Sequence, residues 1–447
     1  MLACTTPSTA PTTQWPSGAP TESLRPDPSS VGAAVAIVAH PSRGPINIDL
    51  ATAEQVVQEK VDDWGRLGQP PEALTTVDTG PVRHRLRVAA TDSSALAVVP
   101  LSRVDPRVRV VSVDGVDPLT APGRYPLGTP ASAQRPLTVT IVGDIMMARG
   151  VATAMRDDEF APLRQVASGL READLTIGNL ESSLSQDGPP LQGGDSFGAD
   201  PEVLDAVARA GVDVLSLANN HVGDYGVGAL RQTLDAFDDS PMLPVGAGKS
   251  LAQAQRPVIV DVGGTRVGVL AFNAIGESPA AGPRTPGVIQ LRMPPRTGPL
   301  STPELRALTR SVERLGERTD IVVVLPHWGE QYTRRPLPVQ RLVARRLVDA
   351  GATAVIGGHP HWVQGMEIVD DSVVAYSLGN FVFDMDFSTP TMQGIALDLT
   401  FWGSRLMAVT PRPVQISPTF VTRFVDGRRA TAIEDDVWRN GFGSWAS

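Results

Sequence analysis

The stretch VDVLSLANNHVGDYG, residues 212–226, decides the fold. Val212 to Leu217 is apolar except at Asp213 and Ser216, a run long enough for a buried strand and too short for a helix. It ends in Asn219-Asn220-His221, and from Gly228 to Phe237 the apolar spacing becomes that of an amphipathic helix. A strand that closes on polar residues and hands over to a helix is the repeating unit of a parallel sheet. The unit recurs on both sides. Apolar strands are predicted at Leu137–Val142, Leu175–Ile177, Val267–Phe272, Ile321–Leu325 and Ala354–Ile356, with helices at Pro201–Ala210, Pro303–Leu315 and Val339–Ala350. The alternation predicts an α/β fold whose largely parallel central sheet is covered on both faces. Paired strands near Pro257–Val262, Met366–Val369, Val373–Tyr376 and Gly394–Phe401 add hairpins or a second sheet, giving a layered sandwich.

In such a sheet the loops past the C-terminal strand ends form the ligand crevice. The chemistry of this chain gathers there. Asp144 follows the first strand and Glu181 the second; Asn220, His221 and Asp224 follow the third, His327 the fifth, and His359-Pro360-His361 the sixth. Four of the six histidines lie in this set, while His40 and His84 do not. Taken singly, a lone Asp after a strand is usually a turn or cap, and two histidines around a proline are more often structural than ligating. Five strand ends of one sheet, each with a nitrogen or oxygen ligand, are hard to assign to loops at random. The set suits two divalent cations, Mn, Fe, Zn or Mg, which polarise a phosphoryl oxygen and generate hydroxide when held about 3.5–4 Å apart. Sulfur ligation is excluded, because Cys4 is the only cysteine.

Length and charge bound the rest. At 447 residues the chain exceeds what one core usually fills. A net charge of −9 repels a phosphate backbone, so no nucleic-acid partner is expected. The longest apolar run, Val31 to Ala39, is too short to span a bilayer. Residues 1–30, rich in Thr, Ser and Pro, are expected to be a disordered tether. Leu2-Ala3-Cys4 resembles a bacterial lipoprotein cleavage site, which implies a lipid anchor at Cys4 as the chain's one membrane contact; a stray cysteine is the alternative. Residues 31–125 are predicted to be a small α/β domain, with strands at Ala33–Val38, Ala95–Val99 and Val108–Val113 and a helix carrying Ala53, Val56, Val57, Val61 and Trp64. This region resembles part of a phosphate-type solute-binding protein without its anion-binding loops, which favours a structural or docking role. Residues 126–136 are expected to be a linker, and 137–447 the main domain. Gly246-Ala247-Gly248-Lys249-Ser250 mimics a phosphate-binding loop, but Leu243 stands where its first glycine is required, so it reads as a turn.

Six motifs in order, GDIMMAR (143–149), GNLESSL (178–184), LANNHVGDYG (217–226), PHWGEQY (326–332), IGGHPHWVQG (356–365) and YSLGNFVFD (376–384), resemble the CapA-type family of poly-gamma-glutamate capsule synthesis proteins. That family looks like a branch of the calcineurin-like metallophosphoesterases. The resemblance implies a four-layer α/β/β/α sandwich with a dinuclear metal site. Asp144 and His361 would serve the first metal, Glu181 would bridge, and Asn220, His327 and His359 would hold the second. His221 would be the general acid, Asp224 would orient it, and Asn380 would support the site from behind. One position departs from the pattern: Met146 stands where the superfamily has a histidine ligand, so the first site loses a donor. The expected function is a metal-dependent, phosphoesterase-like hydrolase outside the cytoplasmic membrane, acting on an envelope polymer or phosphoester. The alternative is a non-catalytic envelope assembly or polymer-handling factor with a degenerate metal site.

Overall fold

The structure, a computed structural model, describes residues 34–130 and 135–445. The expected tether and Cys4 lie outside the described residues. Residues from 34 onward first build a lobe on a four-stranded sheet, β1 (Val35–Ala39), β2 (Thr75–Val77), β3 (Ala95–Pro100) and β4 (Arg109–Val110), in the order β2-β3-β1-β4. Helix α1 (Leu50–Val57) covers one face of it and α2 (Val82–Thr91) the other. Two predictions for this lobe are corrected. The helix expected to reach Trp64 stops at Val57, because Glu59 turns left-handed at φ 59°; Trp64 opens a separate short turn and is still buried in the same cluster. The strand expected over Val108–Val113 is split, with Ser112–Val113 pairing instead with Asn47–Ile48. Within the stretch expected to be a linker, Leu127 packs on the lobe and its carbonyl accepts from Val35 N at 3.3 Å.

The main unit contains β5 (Pro136–Ile145), β6 (Leu175–Leu180), α3 (Val203–Ala210), β7 (Val214–Ser216), α4 (Gly226–Ala236) and β8 (Leu243–Val245), then β9 (Val258–Val262), β10 (Thr265–Asn273), α5 (Thr302–Gly316), β11 (Ile321–His327), α6 (Pro338–Asp349), β12 (Ala354–Ile356), β13 (Met366–Val369) and β14 (Ser372–Ala375). It ends with β15 (Asn380–Val382), β16 (Gln393–Trp402), β17 (Arg405–Ile416), β18 (Thr422–Phe424) and α7 (Gly427–Arg439). These strands form two sheets, not the one central sheet predicted to carry every strand end. One runs β8-β7-β6-β5-β16-β17-β18 with β15 beside β5, and the other runs β9-β10-β11-β12-β14-β13. Strands β5 to β8 are parallel, as are β10, β11, β12 and β14.

Alternating side chains explain the layering. Val323 and Leu325 of β11 face Val139, Ile141, Ile177 and Val214 of the other sheet, while Val322 and Val324 face the opposite way, onto Leu305 and Val312 of α5 and Val343 and Leu347 of α6. On the first sheet Val142 and Leu215 point outward to Val207 of α3 and Leu230 of α4. The order is therefore helix, sheet, sheet, helix. Each inner strand is apolar on both faces, which is why its sequence is a continuous apolar run. The lobe docks on the β16–β17 hairpin: Met407 is buried among Ala36, Val38 and Leu86, and Trp402 Nε1 donates to Leu119 O at 2.9 Å.

Strand β5 runs three residues further than predicted, because β15 pairs with its end and Asp144 N donates to Gly379 O at 3.0 Å. Gly143 permits that approach, since a Cβ there would fall 2.1 Å from Gly379 O. Gly143→Ala is therefore expected to cost ~1–3 kcal/mol of stability and to displace Asp144. A lowered thermal midpoint together with reduced cation uptake is the expected result; unchanged values for both would refute this account of the strand contact.

Candidate metal centre

The C-terminal edges of the two sheets meet, and the polar residues at those ends converge from both. Asp144 sits near the end of β5, Glu181 follows β6, and Asn220 and His221 follow β7; His327 ends β11, while His359 and His361 follow β12. All are buried. Two triads result, Asp144 with Glu181 and His361, and Glu181 with His327 and His359; within each triad one ligand atom per residue lies within 4.8 Å of the others. Glu181 belongs to both.

A divalent cation fits these donors on a direct observation. Both carboxylate oxygens of Glu181, both ring nitrogens of His359 and Nε2 of His361 are buried without a hydrogen-bond partner among the described residues. An unpaired buried polar group costs roughly 1–3 kcal/mol, so five in one place call for a shared partner. His359 and His361 hold φ angles of 97° and 56°, a left-handed geometry that side chains other than glycine rarely adopt. The strain aims both rings inward.

Amide side chains set the orientations. Asp144 accepts from Asn179 Nδ2 at 2.8 Å and from His359 N at 3.1 Å. Asn380 Nδ2 donates to Thr391 O, leaving its Oδ1 to accept from His361 Nδ1 at 2.9 Å; the His361 Nε2 lone pair is then the one offered to the site. Asn219 accepts from His221 N and Val222 N and donates to Asn179 Oδ1 and Leu180 O, which pins the whole loop. His221 donates from Nδ1 to Asp224 Oδ2 at 2.9 Å, lies stacked on Phe197 with ring centroids 3.8 Å apart, and turns Nε2 to within 3.8 Å of Glu181 Oε1. Asp224 also accepts from Phe197 N and Gln192 Nε2.

Met146 is fully buried in the apolar cluster on the helix side of its sheet, and its sulfur accepts from Ala148 N at 3.0 Å. Asn220 faces His327 Nε2 through Oδ1 at 2.9 Å. What fixes that amide is Glu277, absent from the sequence reading, whose Oε2 accepts from Asn220 Nδ2 at 2.9 Å and whose Oε1 accepts from Arg296 at 2.6 Å. Glu277 lies past the end of β10, the one parallel strand end between Asn220 and His327 that the reading passed over.

Burial dominates the electrostatics. It pushes the Asp144 carboxyl up to about 7, with Glu181 as a second cause, and the Glu181 carboxyl up to about 8. It lowers His327 to about 4 and His361 to about 3, and holds His359 well below its ordinary range. Neutral imidazoles are the form that donates lone pairs to a cation, and carboxyls reluctant to ionise mark a place short of positive charge.

Two expectations follow from this arrangement. Without metal, the raised carboxyls favour their protonated form, so stability is lost as pH rises through about 7 to 8; a bound cation must displace those protons, so its affinity rises over the same window. Thermal midpoints of metal-free and cation-loaded protein should accordingly diverge with increasing pH, and parallel curves would contradict the site. Glu277→Leu should weaken cation binding by ~10–100-fold while Glu277→Gln, which still accepts from Asn220, keeps most of it. Calorimetric titration distinguishes these variants, and equal losses in both would remove Glu277 as a positioning residue.

Comparison with known proteins places the chain. The family model described as the bacterial capsule synthesis protein PGA_cap matches residues 138–385. The capsule biosynthesis protein CapA of Bacillus anthracis is 35% identical over 303 residues, covering 66% of this chain and 71% of that one. The PGA biosynthesis protein CapA of Bacillus subtilis is 32% identical over 257 residues, covering 56% of this chain and 64% of the other. Among solved structures, a hypothetical protein from Thermus thermophilus is 17% identical with a TM-score of 0.41, covering 62% of this chain and 99% of that one. With its family match running from β5 through β15 and taking in every residue of both triads, the chain belongs to the PGA_cap family of bacterial capsule synthesis proteins.

Proposed function

We propose that the protein is a metal-dependent hydrolase of the phosphoesterase type, acting outside the cytoplasmic membrane in the synthesis or processing of a capsular polymer. The single observation that carries the hydrolytic reading is Glu181, shared by two triads with both oxygens unpaired, beside a histidine aligned by its own carboxylate. The capsular setting rests on the named relatives. Among the described residues no helix is long and apolar enough to cross a membrane.

Cations held by Asp144, Glu181 and His361 on one side and by Glu181, His327, His359 and Asn220 on the other would supply Lewis acidity toward a substrate oxygen and acidify water. The chain's own residues manage the protons and the geometry. Asp224 holds His221 in the tautomer with hydrogen on Nδ1, so Nε2 is the nitrogen that exchanges a proton with the departing oxygen. Phe197 shields one ring face and stops the imidazole from rotating. Asn179 and His359 N take up the Asp144 oxygens' remaining hydrogen-bonding capacity and keep that carboxylate in place.

A second reading, the non-catalytic assembly factor, draws on Met146, which leaves the first triad one donor short of the superfamily pattern. Turnover separates the two readings. Metal-replete protein should hydrolyse phosphoesters, and His221→Ala should slow an alkyl ester by ~10²–10⁴-fold while slowing a p-nitrophenyl ester far less, since that leaving group needs little protonation. Metal content should stay the same in the variant. Equal effects on both esters would remove His221 as the acid, and protein that retains no metal after incubation with excess divalent cation would remove the hydrolase.

A further inference from the structure

A second concavity lies at the edge of the second sheet opposite the metal centre. Thr353 and Ser372, at the starts of β12 and β14, mark that edge, and there the seam between lobe and main unit leaves a cleft of about 870 Å³. Five arginines line it, Arg83 and Arg87 of α2, Arg103 and Arg107 before β4, and Arg405 of β17, against the two acids Asp105 and Asp371. The walls are basic in a chain whose net charge is −9.

The arginines are not equally engaged. Arg107 forms ion pairs of 3.3 Å with both Asp105 and Asp371. Arg405 donates to Ser102 O and Val104 O at 2.6 Å, contacts that fix its guanidinium without neutralising it. The Arg87 guanidinium reaches His84 at 3.3 Å. Arg83 and Arg103 take no side-chain partner among the described residues. Between them the floor is apolar, formed by Val82, Leu86, Ala90 and Leu406.

We propose that this cleft binds an extended polycarboxylate chain. A guanidinium fork matches the planar carboxylate and can grip it through two parallel hydrogen bonds. Several such groups around an apolar floor suit a ligand whose carboxylates are separated by short aliphatic spacers. A polyphosphate, with no aliphatic part, would leave that floor unused. None of these residues belongs to the metal centre, so the proposal is independent of the hydrolytic reading.

Fluorescence anisotropy of a labelled hexaglutamate peptide with the metal-free full chain tests it. Arg83→Ser combined with Arg103→Ser should weaken binding about tenfold or more, because two charge-assisted contacts are lost from exposed positions that carry no packing. Arg231→Ser combined with Arg310→Ser, an equal change in net charge at exposed sites outside the cleft, should leave affinity within about twofold of the parent. An equal loss in both double variants would reduce the effect to net charge and overturn the site. Unchanged affinity in the Arg83 and Arg103 variant would overturn it as well, and tighter binding of tripolyphosphate than of the peptide would overturn the choice of a polycarboxylate.

Discussion

A buried carboxylate with nothing to bond to organises this protein. Glu181 has no exposed surface, and neither of its oxygens accepts a hydrogen bond among the described residues. Such a group either keeps its proton or ionises where positive charge is brought to it, and the histidines that would share that charge arrive from the other sheet. The apolar layer between the sheets, with Val139 and Ile177 against Val323 and Ala354, is therefore also what holds the two halves of the site at ligand distance. Packing and chemistry are one constraint here.

Amides make that constraint precise in direction. Asn219 uses both ends of its side chain, accepting from two backbone amides of its own loop and donating to Asn179 and to a strand carbonyl. Asn273, at the end of β10, donates to Asn219 O at 3.2 Å and so ties the second sheet to the first beside the two triads. Each amide presents a donor and an acceptor at fixed spacing, so a chain of them transmits orientation from one sheet edge to the other without placing further charge in the interior.

The two ends of the second sheet then carry opposite electrostatic characters. At the C-terminal edge stand neutral imidazoles and carboxyls that resist ionisation, a set that a cation fits. At the N-terminal edge, under the lobe, guanidinium groups stand in excess over acids. The sheet separates the two, so the excess of guanidinium groups at one edge lies apart from the buried triads at the other.

The inner strands and the residues of the two triads were legible in the sequence because both depend on local pattern. A short apolar run ending in polar residues is a buried strand whichever sheet it joins, and Asp144, Glu181, His327 and His359 all stand at such ends. Trp64 shows where local pattern fails: its apolar spacing continues the helix, yet the left-handed turn at Glu59 ends the helix first and the indole reaches the same core from a separate turn. Glu277 shows the same limit at the site, since an acid in a loop carries no periodic signal and acquires meaning only through the amide it meets. Local sequence thus determined which residues are strands and which polar groups stand at their ends. The division into two sheets, the sharing of Glu181 between two triads and the choice of Asn220 orientation were decided only by tertiary structure, because strands buried on both faces look alike until packing assigns their neighbours.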